Sequence, residues 1–276
     1  MRRPSHLRMH RISFTVSVTA ISRVFVLRDR MLGRLGNGRW ARVQRHADSR
    51  HLIPSGSQQL DASFVRPAET PPQAALLICH GIAETVEHWL PAQHLLAAHG
   101  IASLVFDYAG YGKSTGAIDW AQCEQDAIAA FSFLKELAPG LPVSVLGFSM
   151  GSGIATAILD RICPDRLILC AAFTSFREAA RSLGVPHRVS ATLPPIWSGE
   201  EPLRRCPVPV LIVHGERDHT FPVRMASQLA AWCGANAKLV VVPGLSHNEP
   251  FYRPHLRYWR HVVSHLVPAS PSAHDC

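Results

Sequence analysis

This 276-residue sequence is bounded first by what it lacks. No apolar run reaches the roughly 18 residues of a membrane-crossing helix, which excludes an ordinary helical span. Charged residues are few, at 17% against 47% hydrophobic, which excludes a disordered or low-complexity chain. There is no Walker-type phosphate loop, no GxGxxG after a strand and no HExxH. Neither a nucleotide cofactor nor a metal ion is therefore expected. The seven cysteines form no CxxC pair, their number is odd and their spacing is irregular. Several sit in apolar runs, such as Leu77-Ile78-Cys79 and Ile168-Leu169-Cys170. That pattern implies buried free thiols in a reducing compartment, hence a cytoplasmic protein, rather than a disulfide framework or a zinc site.

Acids are nearly missing from the first segment. Residues 1–45 hold eleven arginines, no lysine and one acid, Asp29, for a net charge of +10. The other 17 basic and 19 acidic residues leave the rest at −2. The overall +8 therefore belongs to an arm, and the near-neutral body argues against nucleic acid as a partner. The stretch Ile12–Leu27 mixes Ser and Thr with its apolar residues and is broken by Arg23, unlike the clean apolar core of a secretory signal. Residues 1–45 read as a flexible arm, or as an extension upstream of a start at Met9 or Met31. An organelle-targeting segment and membrane contact through the arginines are lesser alternatives. The body runs over 46–268, with a tail at 269–276.

Within the body, short apolar runs alternate with helical spacing. The runs are Ala74–His80, Ile101–Asp107, Val143–Gly147, Leu167–Ala171, Val210–Val213 and Lys238–Val242, preceded by a strand pattern at Gln58–Arg66. Helical patterns occupy Trp89–His99, Asp119–Ala138, Met150–Asp160, Val223–Cys233 and a last segment ending near Leu266. Apolar runs of four to seven residues between helices are strands buried on both faces. The fold class is therefore α/β, a mainly parallel sheet flanked by helices on both faces. Ligands bind such sheets at the carboxyl ends of the strands, so chemistry is expected just after the runs.

After the run at Val143 stands Gly147-Phe148-Ser149-Met150-Gly151, a GxSxG pattern that leaves a strand and opens a helix. A sharp turn there requires small neighbours, lifts the Ser149 hydroxyl above the sheet and sets it at a helix N-terminus that favours negative charge. A serine nucleophile needs a base, and the base needs an orienting acid. After the run at Val210 stand Glu216 and Asp218. Asp218 is the better placed, because the residues before it turn the chain out of the strand, and Glu216 reads as a surface carboxylate beside Arg217. After the last strand, His247 lies on a glycine-containing loop. Backbone N–H groups of Met150 and Ile82 are the candidate oxyanion donors. His80 reads as a buried structural histidine, and Gly153 as a point of close helix-to-sheet approach. Glu84, Glu87, His88 and His94 read as a solvated helix start.

These motifs resemble the α/β-hydrolase superfamily over about Leu60–Leu266. The resemblance rests on His80-Gly81, the stretch Phe106 to Gly116, the Ser149 turn, His214-Gly215-Glu216-Arg217-Asp218 and Gly244-Leu245-Ser246-His247. The glycine-rich stretch together with Phe173-Thr174-Ser175 is similar to the small-cap branch with acyl-protein thioesterase-like and peptidase-like serine hydrolases. The resemblance implies a triad of Ser149, Asp218 and His247, turn roles for Gly110 and Gly112, and a structural anchor at Asp107. One departure is that Ile82-Ala83-Glu84 follows His80-Gly81 where relatives often carry Asn or a second Gly.

Between Ser175 and Cys206 lies a long segment without a long helical pattern, the expected cap. Its apolar members, such as Val185, Leu193, Ile196 and Trp197, suit an acyl or aryl pocket, and Arg177 and Arg181 suit a carboxylate or solvent. The expected reaction is hydrolysis of a small or medium carboxylic ester or thioester through an acyl-serine intermediate, without a cofactor. A peptidase or amidase with the same triad and a non-catalytic receptor are the alternatives.

Overall fold

The computed structural model describes residues 46–252 and 254–267. The arm expected over 1–45, the tail over 269–276 and Cys276 lie outside the described residues. Two antiparallel strands come first, β1 (His46–Ser55) and β2 (Gln58–Pro67). The turn between them uses Gly56 at φ 57, which glycine adopts without strain. β1 was not visible in the sequence pattern, because only Ile53 and Ser55 of its ten residues are buried.

Strand and helix then alternate. They are β3 (Ala74–Cys79), α1 (Val86–Ala98), β4 (Ile101–Phe106), α2 (Trp120–Leu137), β5 (Val143–Phe148), α3 (Met150–Ala157), α4 (Leu159–Ile162) and β6 (Leu167–Cys170). Three short helices follow, α5 (Phe176–Ser182), α6 (His187–Ser190) and α7 (Glu200–Arg204). The chain closes with β7 (Val210–Gly215), α8 (Val223–Cys233), β8 (Ala237–Val242), α9 (Glu249–Tyr252) and α10 (Leu256–Leu266).

The eight strands form one sheet in the order β1-β2-β4-β3-β5-β6-β7-β8. From β4 to β8 all neighbours are parallel, and β1 and β2 add an antiparallel edge. From β3 the chain crosses one way to β4 and then the other way to β5. That reversal leaves a crevice at the carboxyl ends of the strands.

The period-two alternation of the parallel strands supplies two cores. Ala75, Leu77 and Cys79 of β3 face one side, with Ala127 and Phe131 of α2, Ile154 of α3 and Leu229 of α8. Ala74, Leu76 and Ile78 face the other, with Trp89 of α1 and Tyr258, Trp259 and Val262 of α10. Asp126 of α2 is a buried polar tie between elements. Its carboxylate accepts from Ser55 Oγ at 2.7 Å, Gln122 Nε2 at 2.7 Å and the Ala109 N–H at 2.8 Å. Those three donors satisfy a charge that burial would otherwise penalise.

Five of the six described cysteines are buried free thiols, and Cys163 is exposed. The expectation of burial fails there because Cys163 ends α4 in a left-handed conformation, φ 47, outside any apolar run. Trp89 anchors the second core, with ring centroids 5.0 Å from Phe251, 5.6 Å from Phe148 and 6.3 Å from Trp259. Trp89→Ala should cost about 3–5 kcal/mol, read as a lower denaturant midpoint at unchanged slope.

Candidate active site

Ser149 stands between β5 and α3 with φ 52 and ψ −117, a conformation L residues rarely adopt. The flanking glycines explain how the turn fits. A β-carbon at Gly147 would collide with the Gly151 carbonyl, and one at Gly151 with the Cys79 carbonyl. The N-terminus of α3 therefore packs directly against the end of β3, where Ile82 follows. Gly153 serves differently from the expected close approach to the sheet. A β-carbon there would lie 2.7 Å from Phe173 Cζ and 2.9 Å from Trp197 Cβ, so its bare face admits aromatic side chains.

Two loops bring the other candidates to Ser149. Asp218 follows β7 and His247 follows β8, and these strands are parallel neighbours. Gly215 lets the loops touch, since a β-carbon there would strike the Leu245 carbonyl. The Arg217 N–H donates to Leu245 O at 2.8 Å and the Glu216 N–H to Val242 O at 3.0 Å. Glu216 Oε2 accepts from the Gly244 N–H at 2.8 Å, so this carboxylate joins the two loops instead of pairing with Arg217.

The result is a chain of hydrogen bonds. His247 Nδ1 lies 2.7 Å from Asp218 Oδ2, and His247 Nε2 lies 3.0 Å from Ser149 Oγ. A carboxylate accepts, so Nδ1 carries the proton and the Nε2 lone pair faces the serine hydroxyl. Asp218 Oδ1 accepts from the N–H groups of Thr220 at 2.9 Å and Phe221 at 2.8 Å. Burial alone would push the Asp218 carboxyl up. The hydrogen bond and charge of His247, with the Phe221 N–H, outweigh it and hold the group below the usual carboxylate value. Such an arrangement can draw a proton from Ser149 and hold the resulting imidazolium.

Met150 is the first residue of α3, so its N–H has no preceding helical turn to bond to. Ile82 is half-buried in the loop after β3. Glu84 shapes that loop and is buried rather than part of a solvated helix start. It accepts from the Gly81 N–H at 2.7 Å and Trp89 Nε1 at 3.0 Å, while Ala83 takes φ 61. Sequence reasoning missed this role because an acid near a helix start ordinarily faces water. His80 donates Nδ1–H to Gly81 O at 2.8 Å, as expected of a structural histidine. Asp107 accepts from the Val86 N–H at 2.8 Å, and a β-carbon at Gly112 would collide with its carboxylate.

Residues 175–206 carry α5, α6 and α7. Here Arg177 and Arg181 serve as internal ties rather than free cations. Arg177 Nε donates to Leu193 O at 2.8 Å, Arg181 Nε donates to Ser190 Oγ at 2.9 Å, and Arg181 also pairs with Glu178. Ser182 Oγ donates to Thr220 O at 2.6 Å, which fastens the segment to the Asp218 turn. Trp197, at φ 50, packs with Trp120 and Phe176 and donates its indole N–H to Glu124 Oε1 at 3.1 Å.

Among the described residues one group has converging metal-ligand atoms: His46, Asp48 and His94, all within 4.8 Å of one another. It lies at the β1 edge, four strands from β5. The two imidazoles are stacked with centroids 3.6 Å apart. Two imidazoles on one tetrahedral ion would sit about 5 Å apart, so the group would have to open to hold a metal. No helix among the described residues is long and apolar enough to cross a membrane.

Known proteins share this architecture. The hydrolase family described as serine aminopeptidase, S33, matches residues 70–199. That stretch holds Ile82, Ser149 and Met150 and ends before Asp218 and His247. Lysophosphatidylserine lipase ABHD12 of Mus musculus is 31% identical over 203 residues, 65% of this chain and 51% of that protein. Its counterpart in Danio rerio is 28% identical over 207 residues, 65% of this chain and 53% of that protein. The chain thus spans about half the length of the curated relatives it matches. The ferulic-acid-bound Est1E of Butyrivibrio proteoclasticus aligns with a TM-score of 0.64 at 24% identity, over 78% of this chain and 96% of that one. Esterase Pf2001 of Pyrococcus furiosus aligns with a TM-score of 0.61 at 18% identity, over 83% and 93%. At these identities the structural likeness shows the fold alone.

Buried titratable groups tie stability to pH. Burial lowers His80 and His265 from 6.5 to about 4, and it lowers His214 as well. Between pH 6.5 and 4 the unfolded chain takes these protons and the folded chain does not, so stability falls as pH falls. Asp107, raised by burial from 3.8 to about 6, acts in the opposite sense below pH 6. Each unopposed group contributes about 1.4 kcal/mol per pH unit, and the histidines outnumber the single acid. Urea midpoints should therefore decline from pH 7 to pH 4.5, with further loss from Asp218 below its ordinary carboxylate range.

Proposed function

We propose that this chain, which belongs to the α/β-hydrolase superfamily, is a serine hydrolase that cleaves small or medium carboxylic esters or thioesters. The observation that carries this reading is the hydrogen-bonded series Ser149, His247, Asp218, built on a serine held at positive φ. His247 accepts the Ser149 proton as Oγ attacks the acyl carbon. Asp218 holds the imidazole tautomer and offsets the charge it acquires. The N–H groups of Ile82 and Met150 serve the tetrahedral oxyanion, the leaving alcohol or thiol takes the proton from His247, and water then releases the acyl group from Ser149.

In this reading residues 46–268 make the catalytic domain and 175–206 its cap. The cap helices have at most seven residues each, which favours a shallow site and compact substrates. Free thiols at six described positions support a reducing, cytoplasmic setting. Two relatives widen the panel to be tested. The matched family is described as an aminopeptidase, which brings in amides, and the ABHD12 proteins are described as lysophosphatidylserine lipases, which brings in single-chain phospholipid esters.

Purified protein should react with a fluorophosphonate probe, and Ser149→Ala should not. The same variant should lose at least about 10³-fold in turnover of a short-chain ester with its fold intact by circular dichroism. Matched ester, thioester, amide and lysophospholipid substrates then rank the acyl class. Absence of labelling in folded wild type would overturn the serine-hydrolase reading.

A further inference from the structure

The acid of the proposed triad has a second imidazole beside it. His214 is the penultimate residue of β7, two residues past Ile212 and directly before Gly215, and is fully buried. Its Nε2 lies 2.7 Å from the Phe221 carbonyl. A carbonyl only accepts, so Nε2 carries the proton. The same Nε2 is 3.4 Å from Asp218 Oδ2, the oxygen that also faces His247 Nδ1. The turn it grips is the one that holds the acid. Phe221 donates its N–H to Asp218 Oδ1, and its ring meets His247 edge-on with centroids 5.2 Å apart.

His214 is an expensive residue to place there. Its Nδ1 is buried with no hydrogen-bond partner. Leaving a buried polar atom unpaired costs stability that an apolar side chain of similar size would not. Burial also holds the ring below its usual range, and so neutral. The groups that act on it are Asp218 and His247, with the Phe221 carbonyl at its Nε2. The charge that reaches it is therefore that of the Asp218–His247 pair.

We propose that His214 is a positioning residue for the acid–base pair. Its Nε2–H pins the Phe221 carbonyl and, through a longer contact, shares the Asp218 Oδ2 charge with His247. This rests on the serine-hydrolase reading above. The contacts of His214 are with the Phe221 carbonyl and Asp218 Oδ2, so it acts through the orientation of Asp218 and through the charge that carboxylate presents.

The test compares His214→Gln, His214→Asn and His214→Leu with wild type, using a short-chain ester and active-site titration with the fluorophosphonate probe. Gln carries an amide N–H near the position of Nε2, and Asn is too short to reach it. Leu and Asn should lower kcat by about 10- to 100-fold, the scale of a misplaced catalytic group, with KM within about twofold. Losing a donor leaves more of the carboxylate charge on His247, so the acid limb of the kcat/KM profile should move to higher pH. Gln should restore most of kcat and return the limb toward wild type. The proposal fails if all three variants keep kcat within about threefold of wild type. It also fails if activity falls only in step with thermal stability, with the acid limb unmoved and no rescue by Gln. If Leu does not fold, the Gln and Asn pair decides alone. Failure of wild type itself to label or to turn over ester would sink the serine-hydrolase reading, an outcome distinct from these.

Discussion

The close approach of α3 to the end of β3 is the constraint on which the candidate site depends. Gly151 has no β-carbon, and none would fit beside the Cys79 carbonyl. That absence lets the helix begin hard against the loop holding Ile82, and the same sharp turn carries Ser149 through positive φ. The strain is local, of order 1–3 kcal/mol, and the rest of the fold over-determines it. β5 is buried on both faces, and the Ser149 N–H bonds to Cys170 O at 3.0 Å in the neighbouring strand. The exposed-loop logic of many binding sites does not apply here. This serine is built on rigid secondary structure.

The two loops that complete the site are held with similar redundancy. Gly215, Arg217 and Glu216 each join the β7 loop to the β8 loop. Asp218 is bound at both oxygens, and Ser182 ties residues 175–206 to the same turn. A buried carboxylate needs this satisfaction, since an unpaired one would neutralise itself by taking a proton. The polar connections around Asp218 therefore serve both burial and geometry. His214 is the exception, with one nitrogen left unpaired, which is why it stands out from an otherwise satisfied network.

Much of the fold was legible because parallel strands buried on both faces leave continuous apolar runs, and each run named in the sequence is a strand of the sheet. Ser149, Asp218 and His247 could be singled out by position alone, as residues just past strand ends in a known chain order. β1 was not legible, since an edge strand with one exposed face carries too few apolar residues to show a pattern. Glu84 was misjudged for a related reason. Its burial depends on Trp89 and the Gly81 N–H closing over it, and neither contact leaves a trace in spacing.

What the sequence determined by itself was the α/β class, the strand-to-helix turn at Ser149 and the loops in which an acid and a base stand. These follow from local periodicity and from glycine at fixed offsets. Only the tertiary structure put Asp218 against His247 and Glu216 on the Gly244 N–H, assigned Gly153 to Phe173 and Trp197, occupied Arg177 and Arg181 within their own segment, and set His214 beside Asp218. Each of those outcomes depends on distances between residues far apart in the chain or on side-chain direction at a loop. Such distances are fixed when strands pair and helices pack, and one-dimensional pattern carries no record of them.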